Sequence, residues 1–287
     1  MPELPEIEIV KRSLFKMVNK ATIIDVKVYN RNLRYKIPYS FSKKLVNQKI
    51  LKITRRSKYI IFHFKNEILL GHLGMSGKIL IMRKKDKSLF KTSFYYSSNI
   101  ITKHNHIYFT LNNGLLMIYN DVRRFGFFRL FKTKNIYNIK FIKKLGIEPC
   151  SRLFNVTYFK KYILGKKKNI KNLLMDQTFV SGLGNIYVNE SLFMSRIHPL
   201  RLCNDLSKKE ILNLITKVKR VLVASISAGG SSIKDFKNAS GKSGSFQQFF
   251  RVYAKENKNC SRISCKGKIK KVKISNRSSF YCNKCQK

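Results

Sequence analysis

The sequence predicts an α+β protein: a β-rich half with a helix at its start, then a helical half, then a small metal-held ribbon. Three patterns carry this. Apolar residues alternate with a period of two within the stretch 22–133, recur at three and four across 211–222, and four cysteines cluster near the end. At 287 residues the chain exceeds one typical domain, so more than one core is expected.

Each element follows from its local pattern. Residues 5–18 read as a helix, with Ile7, Val10, Leu14 and Met17 spaced three, four and three apart. In YIIFHFK (59–65), Ile60, Phe62 and Phe64 share one face and Ile61, His63 and Lys65 the other, as in a strand. HIYFTLNNGLLMIYND (106–121) reads as a hairpin turning at Asn113-Gly114. The polar stretch 83–103 is expected to be an extended loop. A basic connector, KTKNIYNIKFIKKLGIEP (132–149), leads into the helical half. There Ser207 and Glu210 form a capping box, Ile211, Leu214, Val218 and Leu222 continue one apolar face, and Gly229-Gly230 ends the helix. The Gly/Ser-rich run 229–246 has the composition of a flexible linker and equally of a mobile loop over a site.

Charge narrows the function. Sixty Lys and Arg against 14 Asp and Glu give a formal charge of +46, which repels itself unless a polyanion is near, and the phosphate backbone of nucleic acid is the usual partner. Lys, Asn, Ile, Phe and Tyr are all abundant, the bias of an A+T-rich genome, so part of the excess is compositional drift and the charge names no activity. The opening MPELPEIEIV is acidic and lacks a signal-length apolar core, and no apolar stretch approaches the ~20 residues of a membrane span. A cytoplasmic protein with no membrane partner is expected. The clustered cysteines suit a metal site in a reducing compartment better than disulfides, whereas Cys150 and Cys203 are scattered.

Cys260-x4-Cys265, sixteen residues, then Cys282-x2-Cys285 fits two thiolate pairs holding one tetrahedral Zn2+, with the intervening residues forming a two-stranded ribbon. Four protein ligands leave no open position for water, so the zinc is structural. At the other end, removal of Met1 would leave Pro2 as a free secondary amine. An α-amino group has a pKa of roughly 7.7–8.0, so a nucleophilic fraction exists near neutrality. Attack on a sugar C1′ gives an iminium that acidifies the adjacent carbon and permits phosphate elimination. Glu3 is placed to shuttle protons, and Glu6 lies one turn on. Read alone, however, MPELPE is also an ordinary helix start.

The N-terminal MPELPEIE resembles the signature of the bacterial formamidopyrimidine-DNA glycosylase family, which removes 8-oxoguanine and ring-opened purines, and the likeness continues in order along the chain. RRSKYI (55–60) is similar to the family's lysine segment, HLGMSG (72–77) and DVRRFG (121–126) to its intercalation loops, and MDQTFVSGLGNIYVNESLF (175–193) to its helix–two-turns–helix motif. GGSSIKDF (229–236) resembles the entry to its lesion-capping loop and NRSSFYCNKCQK (276–287) its zinc finger. The resemblance implies an N-terminal β-sandwich catalytic domain over 1–134, a linker over 135–150, a helical domain over 151–256 and a zinc finger over 257–287, acting as a monomer on double-stranded DNA. No organic cofactor is expected.

The resemblance also implies roles. Pro2 is the nucleophile, Glu3 the proton shuttle and Lys58 the essential active-site lysine. Extruding a base leaves a hole in the stack. Met75, Arg123 and Phe125 are suited to fill it, and Arg123 also to hydrogen-bond the orphaned cytosine. Asn185 opens a helix whose free N–H groups suit a phosphate, although a plain N-cap would look the same. Arg277 matches an arginine that grips phosphates flanking the flipped nucleotide and assists elimination. His104 and Lys166 match backbone-contact positions. Three features depart from the family: the four-residue spacing of the first cysteine pair, Ser245 in place of an aromatic, and a longer 83–103 loop. Two other readings remain open here: a sister endonuclease for oxidised pyrimidines, against which Leu4 argues, and a non-catalytic zinc-ribbon DNA-binding protein.

Overall fold

The computed structural model describes residues 2–86, 88–90, 102–231 and 245–287, apart from the side chains of residues 135 and 245. The expectations for most of the 83–103 loop, for the capping loop beyond Ser231 and for the side chain of Ser245 lie outside the described residues. Among the described residues no helix is long and apolar enough to cross a membrane. The chain divides into two compact units, one of Met1–Lys143 with Ala228–Ser245, the other of Lys144–Ser227 with Phe246–Lys287.

The first unit opens with α1 (Leu4–Val18), whose Ile7, Val10, Leu14 and Val18 are buried in the core, while Met17 packs at its margin. Then come β1 (Ile23–Val28), a short α2 (Phe41–Leu45), β2 (Lys52–Arg56), β3 (Tyr59–His63), β4 (Glu67–His72), β5 (Lys78–Arg83), β6 (Leu89–Phe90), β7 (Asn105–Leu111), β8 (Leu115–Asn120) and β9 (Phe127–Lys132). They form two antiparallel sheets, β1-β7-β8-β5-β6 and β2-β3-β4-β9. The inner faces share one core, so the half is a β-sandwich. The expected alternation on β3 is borne out. Ile60 and Phe62, with Phe64 just beyond, enter this core, and Ile61 enters a separate cluster on the outer face.

Local chemistry explains the differences from expectation. Leu89 and Phe90 are not loop but pair with Met82 and Ile81, because Asp86 accepts hydrogen bonds from the Ser88 backbone N and Oγ and folds the chain back. In the β7–β8 turn only Gly114 has a positive φ, +78°, while the Asn113 side chain caps Leu115 N. The basic connector carries a 3-10 turn (Thr133–Asn138) and α3 (Lys140–Lys143). Its Ile136, Ile139, Phe141 and Ile142 cover Ile61, Ile68, Leu70 and Phe127 on the outer face of the second sheet.

The second unit contains α4 (Val156–Ile163), α5 (Ile170–Met175), α6 (Asn185–Ser195), α7 (Lys208–Ser227) and a ribbon of β10 (Ile269–Ile274) and β11 (Arg277–Cys282). The Ser207–Glu210 capping box forms as read, with Glu210 N on Ser207 Oγ at 3.2 Å and Ser207 N on Glu210 Oε2 at 2.8 Å. Helix α5, the turns at 176–184 and α6 make the helix–two-turns–helix motif, with Gln177 bracing the turns: its Oε1 accepts from Gly182 N at 2.8 Å and its Nε2 donates to Leu183 O at 2.9 Å. Helix α6 is buried on nearly every side, so its polar members Asn189 and Glu190 must find partners within the protein.

Phe128 on β9 spans the sandwich, 1% exposed, with its ring 4.9 Å from Tyr119 and 6.2 Å from Phe109 on the opposite sheet. Phe128→Ala should therefore cost about 3–5 kcal/mol of unfolding free energy, measured by urea denaturation.

Candidate active site and nucleic-acid interface

In the first unit, a buried helix start positions Pro2 and Glu3. Glu3 is the N-cap of α1, and a capping box links it to Glu6, whose Oε2 accepts from Glu3 N at 2.8 Å. Pro2, Glu3 and Glu6 are all buried. Glu6 Oε1 also accepts from the N and Oγ of Ser231, both at 2.9 Å, so the chain leaving Gly229-Gly230 is tied to the first turn of α1.

Lys58 lies in the two-residue turn between β2 and β3, where Ser57 adopts φ +54°. The residue is 7% exposed. Helix α1 packs on these two strands. Arg55 fastens them together: its Nε donates to Glu8 Oε2 at 3.0 Å and its Nη1 to Ser57 O at 2.8 Å. Burial alone would raise the Glu8 carboxyl, but hydrogen bonds from Lys11, Arg12 and Arg55 outweigh it and hold the group below its ordinary value. Sequence reasoning passed over Glu8 and Arg55, since a charge on a helix and another on a strand carry no local sign of pairing.

Beside Lys58, at the end of β4, stands His72. Burial first, then the charges of Lys58 and Arg34, push its pKa down to about 4. The neutral ring accepts from Gly74 N through Nδ1 at 3.0 Å and stacks on Phe127. Next to it Met75, Arg123 and Phe125 come together on two touching loops. A Cβ on Gly74 would lie 2.5 Å from Gly126 N. Met75 is 39% and Phe125 45% exposed, and the Arg123 guanidinium lies 4.5 Å over the Phe125 ring. The two apolar members are thus displayed rather than packed in the core. His104 is half-buried at the foot of β7, and its carbonyl accepts from Asp121 N at 3.0 Å.

In the second unit, Asn185 is the first residue of α6, and Gly184 rather than Asn185 is the N-cap. Its amide donates to Ser278 O at 2.9 Å, and Asn189 Oδ1 accepts from Phe280 N at 2.7 Å, so α6 is stitched to β11. Arg277 emerges, exposed, from the β10–β11 turn, whose Ser275 and Asn276 both have positive φ. Close to it is a residue that the reading missed. Lys171 is 1% exposed, its Nζ donating to Ser279 Oγ and Ser278 O, and burial with the nearby Arg277 lowers its pKa to about 8. The available signal was a lysine between Ile170 and Leu173 on an apolar helix face. Lys166 stands apart, its Nζ 3.3 Å from the Tyr162 ring centroid.

The four Sγ atoms of Cys260, Cys265, Cys282 and Cys285 lie within 4.8 Å of one another, with separations of 3.8 Å for Cys260–Cys285 and 3.6 Å for Cys265–Cys282. A tetrahedron with metal–sulfur bonds of ~2.3 Å has edges of ~3.8 Å, so the cluster fits a metal such as zinc. The wide first knuckle has a use. Its Arg262 donates to the carbonyls of Phe193 and Met194 at the C-terminal end of α6, where a cation also favours the helix dipole.

Residues 1–128 match the family described as formamidopyrimidine-DNA glycosylase N-terminal domain, and residues 145–237 its H2TH domain. The formamidopyrimidine-DNA glycosylase of Bartonella tribocorum is 41% identical over 298 residues, covering all of both chains, and that of Rickettsia africae is 42% identical over 287 residues, covering 100% of this chain and 99% of the other. Among solved structures, Lactococcus lactis Fpg in complex with abasic-site DNA superposes with a TM-score of 0.84 at 32% identity, and a variant of it in complex with Fapy-dG DNA with 0.85 at 32%, each covering both chains fully.

The depressed His72 pKa has a defined sign. Keeping the ring neutral contributes stability that is complete above pH ~6.5 and is lost as pH falls toward 4, at a cost approaching ~3 kcal/mol. Urea unfolding of the wild-type protein should therefore weaken more steeply between pH 6.5 and 4 than that of His72→Gln; parallel curves would remove this assignment.

Proposed function

This chain belongs to the formamidopyrimidine-DNA glycosylase family, and from that premise we propose that it excises oxidised purines from double-stranded DNA and then cuts the strand, with Pro2 as its nucleophile. The observation that carries the reading is the buried start of α1. Pro2 and Glu3 are held by the Glu3–Glu6 capping box, and the same helix is keyed through Glu8 and Arg55 to the turn bearing Lys58. The relatives' complexes with abasic and Fapy-dG DNA support the substrate class.

With Met1 removed, the Pro2 lone pair attacks C1′ of the damaged nucleotide. The bond from C1′ to the base breaks, and the base leaves with that electron pair and takes up a proton. The C1′–O4′ bond then opens. O4′ gains the proton that the Pro2 nitrogen loses, and C1′=N⁺ remains. Glu3 moves protons at O4′ and C2′. Loss of a C2′ proton expels the 3′ phosphate, a second elimination expels the 5′ phosphate, and water frees Pro2. Lys58, buried beside His72, supplies positive charge close to the reacting sugar and its phosphates. Met75, Arg123 and Phe125 fill the vacated stack, and Asn185, Arg277, His104 and Lys166 bind the DNA backbone.

The four cysteines would hold one structural Zn2+, which when bound fixes the knuckles that carry the β10–β11 ribbon. Thiolates of this kind persist in a reducing cytosol, where we place the protein as a monomer.

Two experiments test the reading. Pro2→Gly should slow incision of an 8-oxoguanine duplex roughly 100-fold or more, the scale of losing a positioned catalytic group, while binding stays near wild type. Borohydride should trap the wild-type protein on the same duplex, with the adduct mapping to Pro2 by mass spectrometry. An adduct on a lysine would remove the nucleophile, and preferential action on thymine glycol would transfer the protein to oxidised pyrimidines. Separately, Cys282→Ser should abolish stoichiometric zinc, read by elemental analysis, and weaken DNA binding about tenfold or more.

A further inference from the structure

Asp121 is the residue on which the two loops that display Met75, Arg123 and Phe125 converge. It follows β8 directly and is 0% exposed. Its Oδ1 accepts from Ser76 Oγ at 2.5 Å and from Arg123 N at 3.2 Å, and its Oδ2 from Tyr119 OH at 2.8 Å and Gly126 N at 2.9 Å. Ser76 Oγ in turn accepts from Arg123 N at 3.0 Å. One carboxylate therefore touches the Met75 loop once and brackets the Arg123–Phe125 loop at both ends. Its own backbone is pinned as well, N on His104 O at 3.0 Å and O receiving His106 Nε2 at 2.7 Å.

The surroundings leave little freedom. Arg124 takes φ +57°, the left-handed conformation, between the two residues displayed. A Cβ on Gly126 would fall 2.0 Å from the Tyr119 hydroxyl, so the backbone there is pressed onto the phenol that also serves Asp121. Such an arrangement suits side chains that must enter a base stack together. Each long side chain ordered only on binding costs about 0.5–1.5 kcal/mol, and loops already locked avoid part of that.

We propose that Asp121 is a positioning residue that joins the Met75 loop and the Arg123–Phe125 loop into one rigid wedge for insertion into the DNA stack. This rests on the proposed roles of Met75, Arg123 and Phe125. Asp121 itself touches no substrate.

Asp121→Asn tests it at constant shape. The amide replaces one acceptor oxygen by a donor, so in either orientation the Arg123 N–H or the Gly126 N–H faces an NH2 group. Wedge entry is read without chemistry, as the fluorescence of 2-aminopurine beside an uncleavable abasic analogue in a duplex. The wild-type protein should raise the signal on binding, and Asp121→Asn should require roughly 10- to 100-fold more protein for the same rise. Borohydride trapping on a single-stranded abasic oligonucleotide, which has no stack to fill, should differ less than about twofold between the two proteins. Ser76→Ala, which removes only the link between the loops, should show the same split more weakly and serves if Asp121→Asn does not fold. Equal losses on both substrates would mark a merely structural role and overturn the proposal, as would an unchanged fluorescence titration in both variants. Failure of the wild-type protein to trap single-stranded DNA would instead sink the Pro2 reading and leave the fluorescence comparison standing.

Discussion

A helix buried from its first turn must satisfy its leading N–H groups inside the protein, and this constraint organises the first unit. The start of α1 is buried, and Glu3 and Glu6 cap it reciprocally. The positive end of the helix dipole favours the two carboxyl groups there. Once Glu6 is committed, its second oxygen anchors Ser231, and the chain that follows α7 is fixed to the same turn. One turn further, Glu8 reaches Arg55 and through it the Lys58 turn. A helix start, a loop entry and a hairpin are held in one register by three glutamates.

The same use of buried polar groups recurs in the second unit. Glu190 on α6 accepts three backbone N–H groups, from Arg251, Val252 and Tyr253, and Asn189 accepts a fourth from Phe280. Gln286 accepts from Cys282 N and donates to Ile197 O. Asn189 thus ties the ribbon to α6, Glu190 ties the chain at 251–253 to the same helix, and Gln286 ties the end of the chain to the residues just after it. Each left unmade would cost about 1–3 kcal/mol, which explains why so polar a set sits on so buried a helix.

The composition gains meaning from this. In a chain with only 14 acidic residues, Glu3, Glu6, Glu8, Asp121, Asp176, Glu190 and Glu210 all serve specific structural hydrogen bonds. Half of the acids are thus committed to such bonds, and the chain keeps a formal charge of +46, which suits the proposed polyanionic partner.

Local pattern alone determined much of this protein. The period of α1, the alternation in β3 and the Ser207–Glu210 cap depend on neighbours a few residues apart and appear as read; the cysteine spacing brings four thiols together, and the helix–two-turns–helix, which the family resemblance implies, forms over α5 and α6. Position in the motifs also brought Met75, Arg123 and Phe125 to notice. Only the tertiary structure decided what joins them. Asp121 to Ser76, Glu8 to Arg55, Glu6 to Ser231, Asn185 to Ser278 and Lys171 to Ser279 are pairs separated by tens to hundreds of residues. The pairing of a buried polar group is set by which strand or helix arrives opposite it, and no periodicity within a segment encodes that arrival.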